Sequence, residues 1–319
     1  MSQIFDALQR AEADRVGTEN SVPLQATDIL RRAERLVATK WDGQTLFDEP
    51  EGSKVGDLGA LTAPASLEPQ RERNATAIPA DSVKPDDRSR VLGQFRSLPL
   101  VISQDSRLVS IANEDCPAAE AFRLLGVRLR DLGRTRSLKR VLITSTIPQE
   151  GKTTIAANLA CTLAKSTSQK ILLLEGDVRR PALTQMLSLQ GNPGVCEWLR
   201  GEEKLANCVY QIQEAGIWVM PAGSSPQNPL EVLQSAKLNA LMAQLVDWFD
   251  IVVIDSPPVL PLADTSVWMR LADGIILVAR QGITEKKQLQ KGLEAIDSQK
   301  LIGALLNCSH NSAHSEYYY

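Results

Sequence analysis

This chain has little of what marks several large classes of protein. Its formal net charge is only −3 over 319 residues, so it lacks the basic field of a nucleic-acid binder, and no nucleic-acid partner is expected. No apolar run is long enough to span a bilayer. Runs such as Ile171 to Leu174 and Ile251 to Ile254 are strand-sized, and each of these stops at an acidic residue. The opening MSQIFDALQR has no apolar stretch of the kind a secretory signal needs. The five cysteines, Cys116, Cys161, Cys196, Cys208 and Cys308, have no metal-ligand spacing, and an odd count argues against a disulfide framework. A reducing cytoplasm is the expected compartment. Tyrosine is scarce too: there are four, and three of them are the last three residues.

What is present divides near residue 105. Residues 1–104 read as a flexible N-terminal region with short helices. Ile4, Leu8 and Ala11 can share one helical face, with Ser2 as N-cap. Ile29, Leu30, Ala33, Leu36 and Val37 can share another, opposite Arg31, Arg32 and Arg35. From Asp42 to about Ser103 the stretch is rich in Pro, Gly, Ser and charge. Such a segment buries too little apolar surface to offset its ordering entropy.

Residues 105–308 alternate helix and strand. Pro117 suits the first turn of a helix through AAEAFRLLGVRLRDL. VLITS, ILLLEGD, IWVMPA, IVVIDS, GIILVA and LIGALLN read as strands, with helices over Thr153 to Ala164, around Trp198 and over Leu230 to Trp248. Continuous Val/Ile/Leu runs between helices predict a doubly wound, mostly parallel α/β sheet covered on both faces. Ligands in such folds bind beyond the C-terminal strand ends.

The strongest chemical signal is VLITSTIPQEGKTTIAANLA. A strand ends, a loop follows, and Gly151-Lys152-Thr153-Thr154 opens a helix. In the loop that begins at Pro148, backbone N–H groups of Gln149, Glu150 and Gly151 and of the helix start can cradle phosphate, and Lys152 supplies charge to the β- and γ-phosphates. Thr153 is the candidate Mg²⁺ ligand. The usual P-loop pattern has Gly where this chain has Thr146. Two further strands end in acids. Asp255 matches a Walker B position, and Leu174 leads into Glu175-Gly176-Asp177-Val178-Arg179. Either acid alone is an ordinary strand end or helix cap; three strand ends meeting in one crevice point to a nucleotide site.

At these residues the chain resembles the bacterial tyrosine kinases of polysaccharide synthesis, within the MinD/ParA-like P-loop ATPases. The resemblance covers about residues 105 to 319. It matches the family's Asp-x-Asp-x-Arg motif at Glu175, Asp177 and Arg179, its Pro-Asn-Pro-x-Glu-x-Leu segment at Asn228, Pro229, Glu231 and Leu233, and its Walker B block with the later Asp264. It implies ATP and Mg²⁺ as cofactors, with Lys152, Glu175, Asp177 and Asp255 as catalytic residues and Thr153, Asp177 and Asp255 as metal ligands. Asn307 falls where related ATPases contact adenine, although a strand-ending turn residue is an equal reading. The C-terminal tail, 309–319, would carry the autophosphorylation sites Tyr317, Tyr318 and Tyr319. The twelve residues after Asn307 could reach about 40 Å, far enough to serve a neighbouring subunit.

The resemblance further implies an arrangement in which a transmembrane chain-length regulator recruits a separate kinase chain to the inner face of the membrane. A homo-oligomer and a cognate phosphatase complete the expected partners. Three positions depart from the family pattern: Glu175 where the family has Asp, Gln149 where the loop usually has Gly, and Gly126 in place of the last Arg of Glu-x-x-Arg-x-x-Arg, which begins here at Glu120 and Arg123. A MinD/ParA-like ATPase switch would share Lys152, Thr153 and Asp255 without needing the tail. That group has an additional early P-loop lysine, which Ser145 to Gln149 lack. A nucleotide-binding scaffold without kinase activity is the third reading.

Overall fold

The computed structural model describes residues 85–100, 107–260 and 263–308. These belong to one compact unit, Ser82–Tyr319. The helical patterns expected before residue 40 and the tyrosine tail lie outside the described residues.

Eight strands form one sheet in the order β1-β4-β5-β3-β6-β2-β7-β8. They are β1 (Arg96–Leu98), β2 (Arg140–Ser145), β3 (Ile171–Glu175), β4 (Tyr210–Ile212), β5 (Ile217–Met220), β6 (Ile251–Asp255), β7 (Gly274–Arg280) and β8 (Leu301–Asn307). All neighbours pair in parallel except β4 and β5. The two short strands at one edge therefore run against the rest.

The central strands are apolar throughout because both of their faces are covered. Leu142, Leu172, Leu174, Val252, Ile254, Ile275 and Leu277 pack into one core. Their neighbours Val141, Ile143, Ile171, Leu173, Val253, Ile276 and Val278 point into the other, as a two-residue period requires. The first core is covered by Leu238, Leu241, Met242 and Leu245 of one helix (Ala236–Trp248) and by Val267 and Trp268 of another (Asp264–Leu271). The second is covered by Ala156, Leu159, Ala160 and Leu163 of the helix Lys152–Ser166. The helix Pro117–Thr135 packs against that one in turn. Gly126 is buried there, and a Cβ on it would lie 3.6 Å from the Thr162 methyl. The position where the family pattern has Arg thus faces inward.

Two expectations need correction. The flexible region cannot extend to residue 104, because part of it belongs to the fold. Helix Pro85–Leu92 leads into β1, Leu92 and Phe95 are buried, and Phe95 stacks on Phe249 with ring centroids 6.2 Å apart. Arg88 pairs with Asp250 at 2.9 Å. Three-residue β1 and β4 are too short to show a period, so the apolar pattern gave no warning of them. The continuous helix expected from Leu230 to Trp248 is also broken. It ends at Leu233, and Ser235 is extended (φ −63°, ψ 145°) before the next helix starts.

Candidate active site

β2 lies between β6 and β7, so β3, β6 and β2 end side by side. The loop after β2 runs from Thr146 to Gly151, and Lys152 begins its helix. Gly151 has φ +92°, a conformation only glycine adopts without strain. A Cβ there would meet the Asn307 side-chain nitrogen at 2.2 Å. Gln149, standing where a glycine is usual, nonetheless has φ +67°. The loop keeps its shape at the expense of that residue.

Side chains from several elements hold the loop. Glu150 is fully buried. Its carboxylate accepts from the Ile147 N–H at 2.9 Å and from the Thr284 hydroxyl. The Arg280 guanidinium donates to the Gln149 carbonyl at 3.2 Å. The Asn307 amide donates to the Glu150 carbonyl at 2.9 Å, and its oxygen accepts from the Cys308 N–H. In this geometry Asn307 is a tie between β8 and the loop. Pro148 and Gln149 are exposed on the loop; Thr153 is buried at the helix start and Thr154 half-buried. Arg280 and Thr284 escaped the sequence reading because no linear motif marks a residue that supports a loop from another strand. Gly292 was a weak signal: it sits mid-helix in Lys286–Glu294, where a Cβ would come within 3.1 Å of Thr146.

Lys152 lies between two carboxylates, 3.1 Å from Asp177 and 3.9 Å from Asp255. Burial alone would lower its pKa, but Asp255 and Asp177 outweigh that and raise it, so the ammonium stays charged. Asp255 is fully buried, and neither carboxylate oxygen makes a hydrogen bond of good geometry, although the Thr153 hydroxyl lies close enough to help lower its pKa. Burial pushes its pKa up against the pull of Lys152, to about 7. A buried carboxylate so poorly partnered needs an explanation. A hard cation beside it and Thr153 would provide one, since Mg²⁺ takes few protein ligands and keeps phosphate and water for the rest. The residues present fit that ion.

Asp177 faces the same space. One oxygen pairs with Lys152 and the other accepts from the Arg180 N–H at 3.1 Å. Arg179 does not reach the crevice floor; it binds Asp264 at 2.5 and 3.2 Å. The Trp268 indole donates to the Gly176 carbonyl at 3.0 Å, which fixes the segment between the two acids.

Glu175, expected among the catalytic residues, is engaged by the scaffold in this structure. Its side chain is fully buried, and it accepts from the Leu183 N–H at 2.7 Å, the Thr184 N–H at 3.1 Å, the Ala222 N–H at 3.0 Å and the Thr184 hydroxyl. Leu183 and Thr184 are in the first turn of the short helix Ala182–Met186, whose N–H groups otherwise lack partners. Burial raises its pKa, and these donors only partly offset that. The extra methylene of Glu carries its carboxylate away from the crevice and into the scaffold. Asp177 is left as the acid that faces Lys152.

Fold and site together define a P-loop nucleotide-binding protein. Residues 149–300 match the family described as an AAA domain. Over 203 residues the chain is 35% identical to the tyrosine-protein kinase YwqD of Bacillus subtilis, covering 63% of this chain and 85% of that protein. It is 29% identical to the putative tyrosine-protein kinase CapB of Staphylococcus aureus, covering 63% and 89%. Against the longer tyrosine-protein kinase etk of Escherichia coli it is 28% identical and spans only 29% of that protein. The solved kinase domain of Escherichia coli tyrosine kinase ETK superposes with a TM-score of 0.61 at 27% identity, over 69% of this chain and 86% of that one. The crystal structure of the chimerical protein CapA2B2 gives 0.60 at 26% identity, over 69% and 97%. The chain belongs to the bacterial tyrosine-protein kinases.

Proposed function

We propose that this protein transfers the γ-phosphoryl group of ATP to its own C-terminal tyrosines, Tyr317, Tyr318 and Tyr319. The observation that carries the reading is Lys152, seated at a helix N-terminus between Asp177 and Asp255. Phosphoryl transfer asks mainly for positioning and charge neutralisation. The loop N–H groups and Lys152 bind and orient the β- and γ-phosphates. Thr153 and Asp255 would hold Mg²⁺, with Asp177 nearby. When bound, the ion neutralises phosphate charge during transfer. The lysine that pairs with Asp177 in this structure turns to phosphate when nucleotide arrives. That frees the Asp177 carboxylate to take the proton of a tyrosine hydroxyl, whose ordinary pKa is near 10.

The kinase acts in polysaccharide synthesis and export, as the family resemblance implies. Its partners are a transmembrane chain-length regulator and a resetting phosphatase. Among the described residues no helix is long and apolar enough to cross a membrane, which is compatible with recruitment by such a partner.

Intact mass after incubation with Mg-ATP, alone and with a regulator's cytoplasmic peptide, tests the proposal. Phosphate-sized steps are expected in the wild type and absent from Lys152→Ala and from the variant with Phe at 317, 318 and 319. No added mass in any arm, with nucleotide still bound, refutes the kinase reading. Release of free phosphate without tail modification would instead mark an ATPase switch.

A further inference from the structure

A cleft of about 430 Å³ opens at the opposite end of the sheet from Lys152. Its lining comes from the residues that enter β2, β3 and β6 and from the last turns of the helix Pro117–Thr135. The six residues of β2 separate it from the P-loop by roughly 20 Å. The volume is in the range of sites that hold a small ligand. We infer that this cleft binds a nucleoside phosphate, separately from the nucleotide held at the P-loop. The site stands or falls independently of the kinase reading above.

The floor is apolar. Leu129 and Leu138 are buried, Ile251 is half-buried, and all three line the cleft. A planar base can lie on such a surface. Gly133 lines the same space, and a Cβ there would meet nothing within 4 Å, so the helix leaves room for a flat guest.

Three cations share the lining: Arg130, Arg134 and Lys139. Arg130 and Arg134 stand four residues apart in one helix, which puts them on the same face. Little of this charge is neutralised. Arg130 donates to the Ser166 carbonyl at 3.2 Å and Lys139 to the Val246 carbonyl at 3.3 Å, both uncharged partners. Arg134 pairs with Asp131 at 3.2 Å but is 81% exposed, and such surface pairs are worth little. The carboxylate in the lining, Asp250, is already engaged by Arg88 at 2.9 Å and by the Lys170 N–H at 2.7 Å. The charge left over is positive, and guanidinium forks suit phosphate oxygens.

Gln169 supplies the neutral contact. Its side-chain oxygen is buried without a hydrogen-bond partner, in a residue that lines the cleft. A buried acceptor left unpaired costs free energy. Rotation of the amide turns it towards a guest on the floor, where an N–H on the edge of a base supplies the missing donor. Apolar floor, amide and cations thus match the three parts of a nucleotide: base face, base edge and phosphate. Inorganic phosphate uses only the last.

Calorimetric titration of the full-length protein with AMP, GMP, CMP and UMP, without Mg²⁺, tests the site. Monophosphates lack the β- and γ-phosphates that the P-loop grips, so Lys152→Ala should leave this binding unchanged. Gly133→Trp fills the cleft, and the double variant Arg130→Ala/Arg134→Ala strips its charge. Each is expected to weaken the best-bound monophosphate at least tenfold, with a wild-type circular-dichroism spectrum showing that it is folded; either variant decides if the other does not fold. Gln169→Leu should weaken the same nucleotide severalfold and leave inorganic phosphate, itself at least tenfold weaker, unaffected. Binding of none of the four, wild-type affinity in the folded cleft variants, or loss of binding in Lys152→Ala overturns the inference. Inorganic phosphate bound as tightly as the nucleotides also overturns it, reducing the cleft to a general anion site.

Discussion

Replacing the buried Asp255 with Asn should stabilise the nucleotide-free protein, although the residue belongs to the catalytic crevice. Its carboxyl titrates at about 7 in the fold, against an ordinary 3.8. Burial is the larger cause, opposed by Lys152. Because the folded-state value is the higher one, the folded protein binds more protons than the unfolded chain between those two values. Stability from this group is therefore present below about pH 4 and is lost as the pH rises to about 7. Each pH unit is worth about 1.4 kcal/mol, so the ionised carboxylate costs the fold about 4 kcal/mol at pH 8. Asn keeps the shape without the charge, and Lys152 retains Asp177 at 3.1 Å. For a domain of this size, recovering most of that cost raises Tm by roughly 8 to 16 °C. The assay is thermal unfolding by circular dichroism without nucleotide or Mg²⁺, from pH 4 to pH 8. The gap between variant and wild type should be widest at pH 8 and close towards pH 4. A variant that melts at or below the wild type at pH 8 refutes the reasoning.

Two further outcomes follow from the same geometry. Glu175→Gln turns an amide against N–H groups that now share a carboxylate, leaving at least one buried donor unpaired. A loss of roughly 2 to 4 kcal/mol is expected in urea unfolding; a base with no structural role would leave stability unchanged. Gln149→Gly relieves a left-handed conformation at φ +67°. Relieving it should stabilise the protein by about 1 kcal/mol, net of the entropy glycine adds to the unfolded chain. Gln149→Val, β-branched at the same φ, should destabilise it; equal melting of the two variants would count against the strain.

Most of the fold was legible in linear order. The central strands are apolar on both faces, so each reads as an unbroken Val/Ile/Leu run, and Pro117 and Gly151 mark the starts of their helices. The P-loop was equally clear, because phosphate binding needs a strand, a loop and a helix start that are contiguous in the chain. Lys152 and Thr153 could be named for that reason, and Asp255 because an apolar strand run ends in it. The edge strands were not legible: three residues carry no period, and what orders β1 is the packing of Phe95 on Phe249, more than 150 residues away. The break at Ser235 was hidden as well, since nothing local forbids a helix through it.

The division of labour between the two acids after β3 was beyond the sequence for a similar reason. Glu175 and Asp177 stand two residues apart and look alike as strand-terminal carboxylates. Only the folded chain brings Leu183, Thr184 and Ala222 to one of them and Lys152 to the other. The sequence determined which groups can bind phosphate, because that chemistry is set by residue type and short-range spacing. The tertiary structure decided which carboxylate faces the crevice and which is spent holding it together, because hydrogen-bond donors distant along the chain compete for the same oxygens.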